Sequence, residues 1–196
     1  MNNPIKQLVF IPLLAAVAAG CASAPSQFYT LNATANGDPA VKSDLAVIVG
    51  PVTIPAEVNR PQFTVQIAPN RVAVDEFNRW AAPLGDNIAR VIAGDLSAQL
   101  GTPQVSAVPL ANFAAAWRVT ISIQRFESVP GRYALVDAVW VVHGPAAGAG
   151  QSGSTVVNEP VSGGTYDALA AAHSRALAKV SADIAAALRK LADVKP

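Results

Sequence analysis

The chain has 196 residues, enough for one domain with a sizeable core. Apolar residues make up 52% and charged residues 14%, which excludes an intrinsically disordered chain. The formal net charge of +1 gives nucleic acid no electrostatic footprint to bind.

Residues 1–20 read as a signal peptide. Lys6 precedes an apolar run, Leu8–Ala19, broken only by Pro12. That run has the length of a signal-peptide core and falls short of the ~18 residues a spanning helix needs. It closes on Ala18-Ala19-Gly20 and then Cys21, the only cysteine. A lone thiol forms no internal disulfide, so Cys21 is either a buried or chance thiol or something more specific. The segment looks like a bacterial lipobox, cut just before a lipid-modified cysteine, with Ala18 where Leu is usual. Residues 21–27 are then a lipidated tether. The acyl chains hold the protein at a membrane through ~0.8 kcal/mol per buried methylene. Ala22 after the cysteine resembles the signal for export to the outer membrane.

Residues 28–192 read as a single α+β domain. Phe28–Leu31 is a short strand, and Asn32–Ser43 is loop around Gly37-Asp38-Pro39. Leu45–Val49 is a β-branched strand stopped by Gly50-Pro51, with Val52–Pro55 an irregular continuation. Phe63, Val65 and Ile67 alternate with polar residues as a half-buried strand, which Pro69-Asn70 turns into Arg71–Val74. A helix starts near Pro83 and carries Leu84, Ile88, Val91, Ile92, Leu96 and Leu100 on one stripe. Asp86, Asn87, Arg90 and Asp95 fall mainly on its other side. Gly101 and Pro103 end it. Gln104–Val108 is a short strand. Trp117, Val119, Ile121 and Ile123 make the clearest alternating strand. Tyr133–Val142 is apolar on both sides around Asp137, which places it centrally in the sheet. Ser154–Val161 suits an edge. A last helix, from about Tyr166 to Leu191, is capped by Thr165 and carries Leu169, His173, Leu177, Val180, Ile184, Leu188 and Leu191. The sum is a mixed, mostly antiparallel sheet with two main helices packed on one face. Its other face is either solvated or covered by a partner.

Few residues suggest chemistry. Gly148, Gly150 and Gly153 spell G-x-G-x-x-G, but Ser154–Val157 beyond them reads as strand, where a dinucleotide site needs a helix. No phosphate-binding loop or nucleophile elbow occurs. His143 and His173 are the only histidines and read as structural. Asp137 interrupts an apolar strand, where an unpaired carboxylate is costly, and an ion pair with Arg125 across the turn would relieve it. Arg60, Arg79 and Trp80 are the candidates for an interaction site. An Arg stacked on the indole either locks a loop or anchors a partner.

Several stretches together resemble one family. Tyr29-Thr30-Leu31 close behind Cys21, V-G-P-V-T-I-P at Val49–Pro55, R-P-Q at Arg60–Gln62 and R-W-A-A-P-L at Arg79–Leu84 resemble the PqiC/YmbA-type lipoproteins, auxiliary components of ABC-type transport systems. Asn59 stands where an acidic residue is expected before R-P. The resemblance implies an outer-membrane lipoprotein facing the periplasm. It would be a non-enzymatic docking partner of an MCE-domain protein in intermembrane lipid transport. It also implies no cofactor beyond the acyl lipid on Cys21 and allows a homo-oligomer. The alternative is a lipid-binding carrier, which calls for an apolar cavity between sheet and helices. An enzyme is disfavoured by the lack of a convergent His, Cys or carboxylate cluster.

Overall fold

A computed structural model describes residues 25–146 and 150–193. Cys21, the leader and Gly148 lie outside them. The elements run β1 (Gln27–Tyr29), β2 (Val47–Thr53), β3 (Gln62–Ala68), β4 (Arg71–Trp80), α1 (Leu84–Leu100), β5 (Val105–Ser106), β6 (Trp117–Val129), β7 (Tyr133–His143), β8 (Gly150–Pro160) and α2 (Tyr166–Asp193). The α+β class and its two helices are as expected. The strands divide into two mixed sheets, ordered β1-β4-β3 and β5-β2-β6-β7-β8.

The larger sheet follows from its sequence pattern. Val119, Ile121 and Ile123 face inward, and an extra residue at Gln124 shifts the register so that Phe126 and Ser128 face inward too. Strand β7 is central, between β6 and β8, and turns Ala134, Val136, Ala138, Trp140 and Val142 toward the helices. Strand β2 does not stop at Gly50-Pro51 but runs on to Thr53. Its partner β5 pairs only at Val47 and Ile48, so the missing N–H of Pro51 breaks no ladder on that side.

Helix α1 begins after Pro83 and ends on Gly101, whose left-handed backbone (φ 63°) lets Gly101 and Thr102 donate back to Ala98 and Ser97. Its far side is not the polar face the spacing suggests. Asp86 and Arg90 are exposed, but Asn87 and Asp95 are buried. The segment after β1 lies across that side. The amides of Thr34 and Ala35 both donate to Asp95 Oδ1 at 2.8 Å, and Asn87 reaches the Thr30 hydroxyl. Desolvation then raises the Asp95 carboxyl above its usual range. Helix α2 is capped by the Thr165 hydroxyl, which accepts from the Ala168 amide at 3.2 Å. Its stripe of Leu169, Leu177, Val180, Ile184 and Leu188 is fully buried against β7, β8 and α1.

Candidate functional site

The smaller sheet holds the residues singled out for interaction. Strands β3 and β4 form a hairpin, and β1 adds in parallel, pairing Phe28 with Arg79 and Tyr29 with Trp80. Strand β4 continues well past Val74, to Trp80. It changes face through a bulge. The Asp75 carboxylate accepts from the amides of Phe77 and Asn78 at 2.9 Å, forming a local turn. Asp75 and Trp80 therefore both face the interior although they are five positions apart, an odd number that regular alternation would not allow. On the other side of the bulge, Phe77 and Arg79 look outward with Val72 and Val74.

The inward face is an aromatic cluster. Phe63 stacks on Trp80 with ring centres 4.3 Å apart and meets Tyr166 at 5.0 Å edge-on. Tyr29 meets Phe63 at 5.8 Å, and Trp80 meets Phe126 of the larger sheet at 6.2 Å. Polar tips are satisfied at the rim. Tyr29 donates to Asn78 at 2.6 Å, and Tyr166 donates to Asp75 at 2.8 Å. Burial, reinforced by the Asp75 charge, pushes the Tyr166 hydroxyl up to about 12. Burial works to raise Asp75 as well, but the hydrogen bonds from Tyr166, Phe77 and Asn78 hold it below its usual value.

Trp80 is therefore a core residue, 5% exposed, and not a protruding anchor. Adjacent residues of a strand point to opposite faces, so Arg79 cannot stack on its indole. Arg79 instead donates to the Glu76 carbonyl at 2.7 Å and contacts the Glu76 carboxylate at 3.4 Å. Among the described residues the cation–π pair is Arg132 over Tyr133. Arg60 lies on the exposed loop before β3, and the Trp80 amide donates to Pro61 at 2.7 Å. That bond draws two segments together. Asn59–Pro61 and Trp80–Leu84 line a shallow groove of about 330 Å³. Arg79 faces away from it.

The remaining candidates are structural. Asp137 lies on the outer face of the larger sheet, half-buried, so an unpaired charge there is tolerable. It is the register partner of Arg125, but the guanidinium turns along its own strand to Glu127 at 2.7 Å instead. The expected Arg125–Asp137 ion pair gives way to a nearer carboxylate on the same face. His143 ends β7 in solvent. His173 is fully buried, stacked on Phe126 at 3.8 Å, with Nε2 2.8 Å from the Ser128 hydroxyl. Burial pushes its imidazole down to about 3, so it is neutral. Gly153 is packing space, since a Cβ there would fall inside the Trp140 indole. Among the described residues no three His, Cys, Asp or Glu side chains gather as a metal site. Sequence spacing missed Glu159. It is buried on β8 and held below its usual value, against desolvation, by Lys179 at 2.5 Å and Arg175 at 3.0 Å. The signal was there in principle, as Arg175 and Lys179 lie one turn apart on α2.

Residues 29–185 match the family of ABC-type transport auxiliary lipoprotein components. The chain belongs to that family. No curated protein sequence matches this auxiliary lipoprotein. Its fold is shared with solved structures. A crystal structure of an uncharacterized protein superposes with a TM-score of 0.66 at 18% identity, covering 83% of this chain and 98% of its own. A protein from Xanthomonas campestris does so with a TM-score of 0.64 at 19% identity, covering 81% and 92%.

Proposed function

We propose that this auxiliary lipoprotein is anchored by acyl chains on Cys21 to the outer membrane. There it faces the periplasm and docks an MCE-domain protein of an ABC-linked lipid transport system, without catalysing a reaction. The observation that carries this reading is the convergence at one groove. Arg60-Pro61 and Trp80–Leu84 come from two separate stretches that resemble the family, and they meet on one surface. The groove offers an apolar floor, an exposed guanidinium and no acid–base pair, which suits recognition of a protein segment. Arg79 faces elsewhere and Trp80 is buried as the groove's floor, so the partner contact is assigned to Arg60 at the groove's exposed edge.

The carrier alternative needs a cavity between helices and sheet. The facing residues there, among them Val49, Ile92, Val136 and Leu177, are packed to full burial. A groove of about 770 Å³ lies outside that core and is lined by Gln99, Glu159, Arg175 and Lys179 among alanines of α2. Close packing favours docking over carrying.

The test is crosslinked capture of the native lipoprotein from envelope membranes, with and without Arg60→Glu. Recovery of an MCE-domain protein, lost on that exposed substitution while thermal unfolding is unchanged, supports the reading. Recovery of lipid with no protein partner favours the carrier. Recovery of neither overturns the proposal.

A further inference from the structure

The exposed apolar residues of this protein are unevenly placed. Among the described residues, Phe28, Ile67, Val72, Val74 and Phe77 all belong to the small sheet or its hairpin, five of nine large exposed apolar side chains. Phe28 is 65% exposed and Phe77 47%. The bulge at Asp75 explains how Phe77 joins Val72 and Val74. Without it, Phe77 would face inward with Asp75 and Ala73. With it, Val72, Val74, Phe77 and Arg79 share one outer face, and Phe28 joins them from β1 as the register partner of Arg79. By contrast, the outer face of the larger sheet presents Arg118, Gln124 and Arg125 beside its apolar residues. Exposed aromatic and aliphatic side chains gathered on one sheet face, beside the polar Gln62, Thr64 and Gln66 of β3, suit a protein or membrane contact.

The chain's own geometry selects between them. Cys21 stands six residues before Gln27, the first residue of β1. That length of chain reaches about 20 Å at most. Strand β1 is the edge of the small sheet and runs parallel to β4, so the chain joins the sheet beside Asn78, next to Phe77. An acyl anchor at Cys21 therefore holds this face, more closely than the helices' side, against the bilayer. We propose that the outer face of the small sheet is a lipid-facing surface. In it Phe28 and Phe77 enter the interfacial layer, and Arg79 between them meets lipid phosphate. Arg79 has five N–H donors, and its bonds to Glu76 use two of them. A guanidinium flanked by aromatic rings matches a surface that is apolar below and phosphate above. This inference rests on the lipid anchor at Cys21.

The test uses the full chain, purified from membranes and reconstituted into vesicles of phosphatidylethanolamine and phosphatidylglycerol, with and without brominated acyl chains. Phe77→Trp and, separately, Phe28→Trp place an indole on the patch. Val156→Trp places one on the outer face of the larger sheet, where Val156 is 63% exposed. The expected result is blue-shifted emission, quenched by brominated lipid, for both patch variants and not for Val156→Trp. Mass spectrometry of the Cys21 peptide reads the anchor independently. A chain without acyl groups overturns the anchor and the inference together. An acylated, vesicle-bound chain whose patch variants are not quenched overturns the inference alone. If their emission then shifts with protein density in quencher-free vesicles, a second copy covers the face, and the lipid-facing assignment fails.

Discussion

The two sheets solve the same problem in opposite ways. The five-stranded sheet has one face sealed by α1 and α2, and aliphatic residues fill the space between. Among the described residues no helix lies along the three-stranded sheet. It gains its interior from aromatic rings and from Tyr166 at the start of α2. A three-stranded sheet is near the lower limit for stability on its own, so a few large side chains carry what many small ones carry next door. Among the described residues its outer face carries more of the large exposed apolar side chains than that of the larger sheet. The larger sheet is a scaffold; the smaller one carries the face and the groove edge proposed above to meet a membrane and a partner.

If that division is right, Phe63 is the point of greatest leverage. It is fully buried and touches Tyr29, Trp80 and Tyr166. Phe63→Ala is expected to cost about 3–5 kcal/mol, because it removes the ring that the other three contact. Chemical denaturation checks the magnitude, and the loss of near-ultraviolet ellipticity from Trp80 checks the location. A cost near 1 kcal/mol would show that the small sheet does not depend on its aromatic cluster.

The junction between the sheets should respond to pH. His173 lies against Phe126 and Ser128, and its folded pKa of about 3 is below the ordinary 6.5. The unfolded chain then binds more protons between these values, so stability is full above pH 6.5 and falls as pH drops toward 3. The limiting slope is about 1.4 kcal/mol per pH unit. Glu159 and Asp75, both held below their usual values, add loss in the same direction at lower pH. Asp95, raised by burial, opposes it. Between pH 6.5 and 5 His173 dominates. Denaturation midpoints across that range should fall for the wild type and stay nearly flat for His173→Phe. A flat wild-type profile would mean the imidazole is not neutral in the folded chain.

Within the larger sheet, Gly153→Ala is the matching probe. A new methyl would collide with Trp140, whose indole donates to Thr155 at 3.1 Å, and Thr155 donates onward to Asp183 at 2.7 Å. The expected cost is about 1–3 kcal/mol of thermal or denaturant stability, as for other overpacked sites. An unchanged midpoint would show that β8, as an edge strand, simply shifts outward.

These contrasts were unequally legible in the sequence. Period-two and helical spacing located β6, α1 and α2, and a continuous apolar run located β7, because their faces are buried by regular neighbours. Spacing failed where burial came from irregular chain. Asn87 and Asp95 read as the solvent side of α1, because no periodicity announces that Thr30–Ala35 crosses it. Trp80 read as an indole under an Arg that either locks a loop or anchors a partner, because the strand carrying it extends through a bulge that alternation cannot foresee. Two of the stretches that resembled the family did point to one place, and only the Trp80–Pro61 hydrogen bond shows that they share a groove. The division into two sheets had no sequence signal, since strand partners are set by contacts far apart in the chain.

The smallest expected change is at Arg79, and it separates fold from surface most sharply. Its pair with Glu76 is solvent-exposed on both sides and three residues apart, a geometry in which attraction is screened and side-chain entropy is lost. Arg79→Ala should therefore move the denaturation midpoint by no more than about 0.5 kcal/mol. The ring beneath it, Trp80, belongs to the other face and is untouched. A larger loss of stability would mean that Glu76 and Gln62, bonded at 3.1 Å, hold the β3–β4 register through Arg79. In that case the outer face would be part of the scaffold after all. A silent substitution leaves Arg79 on the surface for what it can bind.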